Sequence, residues 1–145
     1  MEIATIGFTR TSAERFFRRL AESGAAEVWD VRLHKSSQLA GFAKRGDLDY
    51  FLQTICGLGY RDIPELAPGD DILRAYRARR LTWDDYERAY ARLIAERAVE
   101  RQLRPPEDGR GIVLLCSEAG PENCHRRIAA EYLQQHWEGV SIRHL

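Results

Sequence analysis

The sequence predicts an α/β fold, a three-layer domain with a small, mostly parallel sheet and helices on both faces. Two observations lead there. The run GIVLLC at residues 111–116 is apolar throughout, the pattern of a central strand covered on both faces. At the other end, residues 2–33 read as strand, helix and strand in quick succession, a βαβ unit. Its two strands are expected to be parallel with a right-handed crossover.

The elements follow in order. EIATIGF is a short apolar first strand. TSAERFFRRLAESG opens with Thr11 three residues before Glu14, the capping-box spacing, and Ala13, Phe16, Phe17, Leu20 and Ala21 share one helical face until Gly24. AEVWDVRL is a second strand, and HKSSQLAGFAKRG reads as loop. In DLDYFLQTICGLG, Leu48, Phe51, Leu52 and Ile55 fall at helical spacing, with Gly57 or Gly59 as the stop. Residues 60–71, with Pro64, Pro68 and Gly69, read as irregular chain. Residues 81–103 read as one long helix with Thr82 and Asp85 at its start and Trp83, Tyr86, Tyr90, Leu93 and Ile94 toward the core. After the break RPPEDGR and the strand GIVLLC, a final helix runs to about Trp137, and VSIRHL is a last strand.

Composition narrows the function classes. At 145 residues the chain is expected to be a single domain, residues 1–145, without repeats or a low-complexity tract. Apolar residues make up 44% and the 22 basic and 22 acidic side chains cancel, so no general nucleic-acid-binding surface is expected. No stretch approaches the ~20 apolar residues that cross a bilayer, and the acidic start MEIATIGFTR is not a signal peptide. Three cysteines make a poor disulfide framework, so we expect a cytoplasmic protein with reduced thiols. All basic residues but Lys35 and Lys44 are arginine, as in a GC-rich bacterial genome.

Ligands of such sheets bind beyond the carboxyl ends of the strands. The loops there, GFTRT, DVRLHKSS and CSEAGPENCHRR, bring Arg10, Asp30, Arg32, Ser36, Cys116, Glu118, Cys124, His125 and Arg126 to one edge. If Asn123 caps the last helix, Cys124 sits in its first turn, where the dipole and neighbouring arginines lower a thiol pKa. Asp30 and Arg32 flank Val31 and point to the same face, either as an internal ion pair or as part of a site. Cys116 equally fits a core position at a strand end, and Cys56 fits the core face of its helix.

Familiar motifs are absent. Six residues after Cys116, where a cysteine-phosphatase loop has arginine, stands Glu122. There is no CxxC, no deaminase HxE with PCxxC, no GxGxxG and no Walker loop. Three readings remain open. In the first, Arg32 and Arg126 hold the phosphate of an anionic, nucleotide-like substrate with Arg10, Asp30, Ser36 and Cys116 around it. Cys124 is then the nucleophile or polarising group, and Glu118 with His125 moves protons. In the second, Cys116, Cys124 and His125 bind a metal, with Asp30 as an acidic fourth ligand, or respond to oxidants. In the third, the chain is a non-catalytic interaction module. No cofactor is named by any of these patterns.

The segments TIGFT, WDVRLHKSSQLAGF, LGYRDIPEL and IVLLCSEAGPENCHR together resemble the family catalogued as domain of unknown function 488, over nearly the whole chain. The resemblance implies an α/β fold and a shared site at Asp30, Arg32, Ser36, Cys116, Glu118, Cys124, His125 and Arg126, without naming a reaction. The chain departs from the usual motifs at Phe8, where that family commonly carries histidine, at Lys35, close to a usual proline, and at ELAPG, where LGG is frequent. It therefore resembles a divergent member.

Overall fold

The strand Ile112–Cys116 is buried along its whole length and everything else is arranged around it. The computed structural model describes residues 1–35, 41–118 and 120–145. The five strands are β1 (Glu2–Gly7), β2 (Glu27–Asp30), β3 (Gly59–Asp62), β4 (Ile112–Cys116) and β5 (Ser141–His144). They form one parallel sheet in the order β3-β2-β4-β1-β5. The helices are α1 (Ala13–Ala21), α2 (Arg45–Phe51), α3 (Asp70–Arg77), α4 (Trp83–Glu96), α5 (Val99–Gln102) and α6 (His125–His136). The three-layer α/β expectation holds.

Strand alternation explains the two cores. Ile112, Leu114 and Cys116 face α4 and α6 and pack with Ile3, Trp29 and Leu133. Val113 and Leu115 face the other way, onto Phe16, Phe17, Leu20 and Leu48 from α1 and α2. An all-apolar β4 is thus demanded by its place, since neither face meets water.

Several boundaries differ from the sequence expectation. Ser12, not Thr11, caps α1, its hydroxyl accepting from Arg15 N at 3.1 Å. Thr11 instead closes a turn, its N–H bonded to Phe8 O at 3.2 Å. Residues 60–71 are not irregular throughout. Gly59–Asp62 is an edge strand beside β2, too short and too polar to show alternation, and α3 begins at Asp70. The long helix stops at Glu96, and Ala98 at φ 51° turns the chain before α5. After α2 the helix widens to a π turn over Leu52–Cys56, which rotates Ile55 out to 55% exposure. Gly57, at φ 67°, ends that segment.

Among the described residues no helix is long and apolar enough to cross a membrane. Leu114 is fully buried in the central strand. Leu114→Ala is expected to lower unfolding free energy by about 2–5 kcal/mol in chemical denaturation.

Candidate active site

Parallel strands β1, β4 and β2 end side by side, and their carboxyl ends open onto the first turn of α6. Val31 N donates to Leu115 O at 3.1 Å and Thr9 N to Ser117 O at 3.0 Å, so the three strand-end loops are laced together. Cys116, at the last position of β4, points to the α6 side of the sheet. There it meets Cys124 and His125, both buried.

His125 is held by a backbone atom. Its Nε2 lies 2.7 Å from the carbonyl oxygen of Val31. A carbonyl only accepts, so Nε2 carries hydrogen, and the Cys116 sulfur lies beside the ring, 3.6 Å from Nδ1 and 3.8 Å from Nε2. Tyr90 packs edge-on against the imidazole at 5.3 Å between centroids. The tautomer and ring plane are therefore set before any ligand arrives.

The two thiols are driven in opposite directions. A hydrogen bond from Cys124 is the largest influence on Cys116; burial opposes it, and the charge and hydrogen bond of His125 with the charge of Arg126 add to it. The net effect holds the Cys116 thiol well below its ordinary value. Burial, then the hydrogen bond and charge of Cys116, push the Cys124 thiol well above it. For His125, burial favours the neutral ring, but the Cys116 charge and hydrogen bond and the Val31 carbonyl together raise its pKa. These directions favour a thiolate at Cys116 beside a protonated His125, with Cys124 as hydrogen-bond donor. The expectation of a lowered thiol pKa at Cys124 is overturned. Cys124, not Asn123, is the N-cap of α6, and its buried side chain makes no capping bond.

Asp30 and Arg32 form a buried ion pair. Arg32 Nε donates to Asp30 Oδ1 at 2.8 Å and Nη2 to Oδ2 at 2.7 Å, a bidentate fork. Tyr60 also donates to Asp30 Oδ2, at 2.6 Å, and burial followed by this bond raises the phenol pKa. Arg32 lies over the Phe8 ring at 5.3 Å. With both carboxylate oxygens taken, the pair braces the end of β2.

A cavity of about 110 Å³ opens beside the sulfurs. Arg32, Cys116, Glu118, Cys124 and His125 line it, and α3 and α4 close it with Tyr76, Arg77, Trp83 and Tyr86. The structure thus brings together most of the residues singled out from sequence. Asp30 stands behind Arg32. Arg10 lies apart, at φ 59° beside a neighbouring depression shared with Thr9 and Glu118. Ser36 lies outside the described residues. Cys56 is half-buried on the opposite side of the sheet, where its thiol donates to Phe17 O at 3.4 Å.

Arg126 is 1% exposed, an unusual place for a guanidinium. Its Nη1 donates to the backbone oxygen of Glu118 at 2.5 Å and lies 3.8 Å from Cys124 Sγ. Gly7 makes this packing possible. A Cβ on Gly7 would fall 1.5 Å from Glu118 O and 2.7 Å from Arg126 Nη1. Only a residue without a side chain lets the β4–α6 loop fold across the end of β1.

One atom each from Cys116, Cys124 and His125 lie within 4.8 Å of one another, close enough to hold one metal ion. Nδ1 of His125 is the nitrogen available, and the Val31 carbonyl would be its outer-shell partner. Against a dication stands Arg126, whose guanidinium already touches one of the sulfurs.

Sequence reasoning missed Tyr60 and the α3 wall. It read Trp83, Tyr86 and Tyr90 as core residues or, in the interaction-module reading, as a partner-binding face of the long helix. Tyr90 is core, but Trp83 and Tyr86 also line the cavity.

The family profile for the domain of unknown function DUF488 matches residues 12–133. No curated protein and no solved structure matches the chain.

Gly7→Ala is expected to lower stability by about 1–3 kcal/mol or more, because backbone and a buried arginine must both move. Thermal unfolding checks it, and a wild-type Tm would show that the loop yields freely.

Proposed function

The chain belongs to the DUF488 family, and from that premise we propose that it binds a small anionic ligand beside Cys116 and that this sulfur attacks it. One observation carries the reading. Cys116 and an imidazole of fixed tautomer meet at the floor of a cavity that lies at the carboxyl ends of the strands. Such a pair is the arrangement of an activated sulfur nucleophile.

The anionic character of the ligand is supported by three features. The α6 N-terminus faces the cavity through Cys124 and His125, and no side chain caps its first turn. Arg77 stands on the cavity wall. The imidazolium of His125 adds a positive charge at the floor. At about 110 Å³ the cavity fits a reacting group of a few heavy atoms rather than a whole nucleotide.

The chemistry balances with these residues alone. The Cys116 sulfur forms a bond to an electrophilic carbon or phosphorus, and the leaving group departs with its electron pair and the proton from His125 Nδ1. Water then attacks the adduct, gives its proton to the same nitrogen, and the thiolate leaves. Glu118, exposed at the cavity mouth, faces the side from which that water enters. In this scheme the nucleophile is Cys116, and Cys124 is the donor that steadies it. Arg32 and Asp30 shape the floor, and Arg126 holds the Glu118 loop. Arg10 and Ser36 have no assigned step.

Alkylation by iodoacetamide, followed by mass spectrometry across pH, tests this. A lowered thiol pKa means thiolate persists to lower pH. Cys116 is therefore expected to react with a midpoint below the ordinary ~8.5. Cys124→Ala removes the strongest of its supports, so the midpoint should rise. Preferential modification of Cys124, or an ordinary midpoint at Cys116, overturns the assignment.

The three clustered ligand atoms favour a second reading, a soft divalent metal held by Cys116, Cys124 and His125. Elemental analysis of protein purified without chelators decides between them. Less than about a tenth of an equivalent of metal is expected, whereas one equivalent of zinc, lost in Cys116→Ser, would establish the metal reading.

A further inference from the structure

The turn between α3 and α4 holds a second depression, of about 460 Å³, that nothing in the proposed chemistry uses. Its lining includes Tyr76, Arg77, Arg79, Arg80, Trp83 and Asp85. Three of these, Tyr76, Arg77 and Trp83, also line the cysteine cavity. The two spaces therefore adjoin across these three side chains, the larger forming a groove beside the small cavity.

The groove has two kinds of recognition chemistry. Trp83 is stacked on Tyr86 at 5.1 Å and 21°, and Tyr76 meets Trp83 at 5.7 Å and 62°. Trp83 and Tyr76 stay half-buried, so each keeps ring surface open to a planar partner. Arg77, Arg79 and Arg80 are exposed, and among the described residues none of them is in an ion pair. Arg74, one turn earlier, is paired with Asp70. Asp85 is the one carboxylate on the lining, and it is occupied by Arg88 at 2.9 Å and by the hydroxyl and backbone N–H of Thr82. Three unpaired guanidiniums gathered in a neutral chain make a local anion site rather than a general polyanion surface.

We infer that this groove binds a nucleoside monophosphate, its base stacked on Trp83 and Tyr76 and its phosphate held by Arg77, Arg79 and Arg80. The inference deepens the reading of the cysteine cavity by naming the ligand class. It rests on that reading only for what happens at the reacting end. Size agrees, since a base with its sugar and phosphate needs a site of roughly 300 Å³ or more and the inner cavity alone cannot hold it. Aromatic stacking and guanidinium contacts together distinguish this ligand from an inorganic anion, which gains nothing from Trp83, and from a plain aromatic compound, which gains nothing from the arginines.

Isothermal titration of the intact chain with AMP, adenosine, inorganic phosphate and a 5′-phosphorylated hexadeoxynucleotide tests it. AMP is expected to bind, with adenosine and phosphate each at least about tenfold weaker. Arg79→Ala/Arg80→Ala changes two exposed residues and should leave the fold intact, as circular dichroism will check, while weakening AMP at least about tenfold. Trp83→Leu should weaken it about fivefold or more. Cys56→Ser, on the opposite side of the sheet, should leave AMP affinity within about threefold. Binding that survives while Cys116 alkylates like an ordinary thiol retains this inference and removes the nucleophile. No detectable AMP binding, AMP binding indifferent to both the arginine and Trp83 variants, or tight binding of the oligonucleotide alone overturns it.

Discussion

A single hydrogen bond, from His125 Nε2 to the Val31 carbonyl, sets the terms for the rest of the site. It joins the end of β2 to the first turn of α6, and the only acceptor it offers His125 is a backbone oxygen that cannot ionise. The hydrogen on that nitrogen is thereby fixed, and the ring is held beside the Cys116 sulfur. Were the ring free to swing away, that sulfur would lose the charge and hydrogen bond of His125. Burial would then count against the thiolate with less to offset it.

Around this bond the polar groups divide into two sets that meet at the cavity, which Arg32 lines together with Cys116, Cys124 and His125. Asp30, Arg32 and Tyr60 satisfy one another in a closed network, with Phe8 beneath the guanidinium. A buried charged pair of this kind is costly to break because either partner alone is left uncompensated. Cys116, Cys124 and His125 occupy the α6 side, where they open onto the cavity. One set braces the strand ends and the other presents two thiols and an imidazole to the cavity. Arg126 and Gly7 join them, since the loop carrying Glu118 crosses β1 only where no side chain blocks it.

Much of this was legible in the chain. GIVLLC announced a doubly covered strand, and the rule that ligands sit at strand carboxyl ends gathered Asp30, Arg32, Cys116, Glu118, Cys124, His125 and Arg126 before any coordinates. The DxR spacing announced a same-face pair. What stayed hidden was decided by atoms without a sequence signature. The partner of His125 is a main-chain oxygen, and the partner of Cys116 stands eight residues on, across a loop of unpredictable path. Those two contacts lower the thiol pKa at Cys116 and leave Cys124 raised by burial, the reverse of the sequence expectation. Edge strand β3 hid for a different reason: four residues, two of them charged, carry too little alternation to be heard. The π turn at Leu52–Cys56 broke a helical period that Ile55 otherwise fitted.

The order β3-β2-β4-β1-β5 puts the last strand to be synthesised but one between the first two. Residues near 7, 31, 116 and 125 become neighbours only when β4 inserts between β1 and β2. Until then, Cys116 is an ordinary thiol on a chain whose histidine is elsewhere. The Cys116–Cys124–His125 cluster is consequently a property acquired when β4 takes its place in the sheet, and a half-made molecule carries none of it.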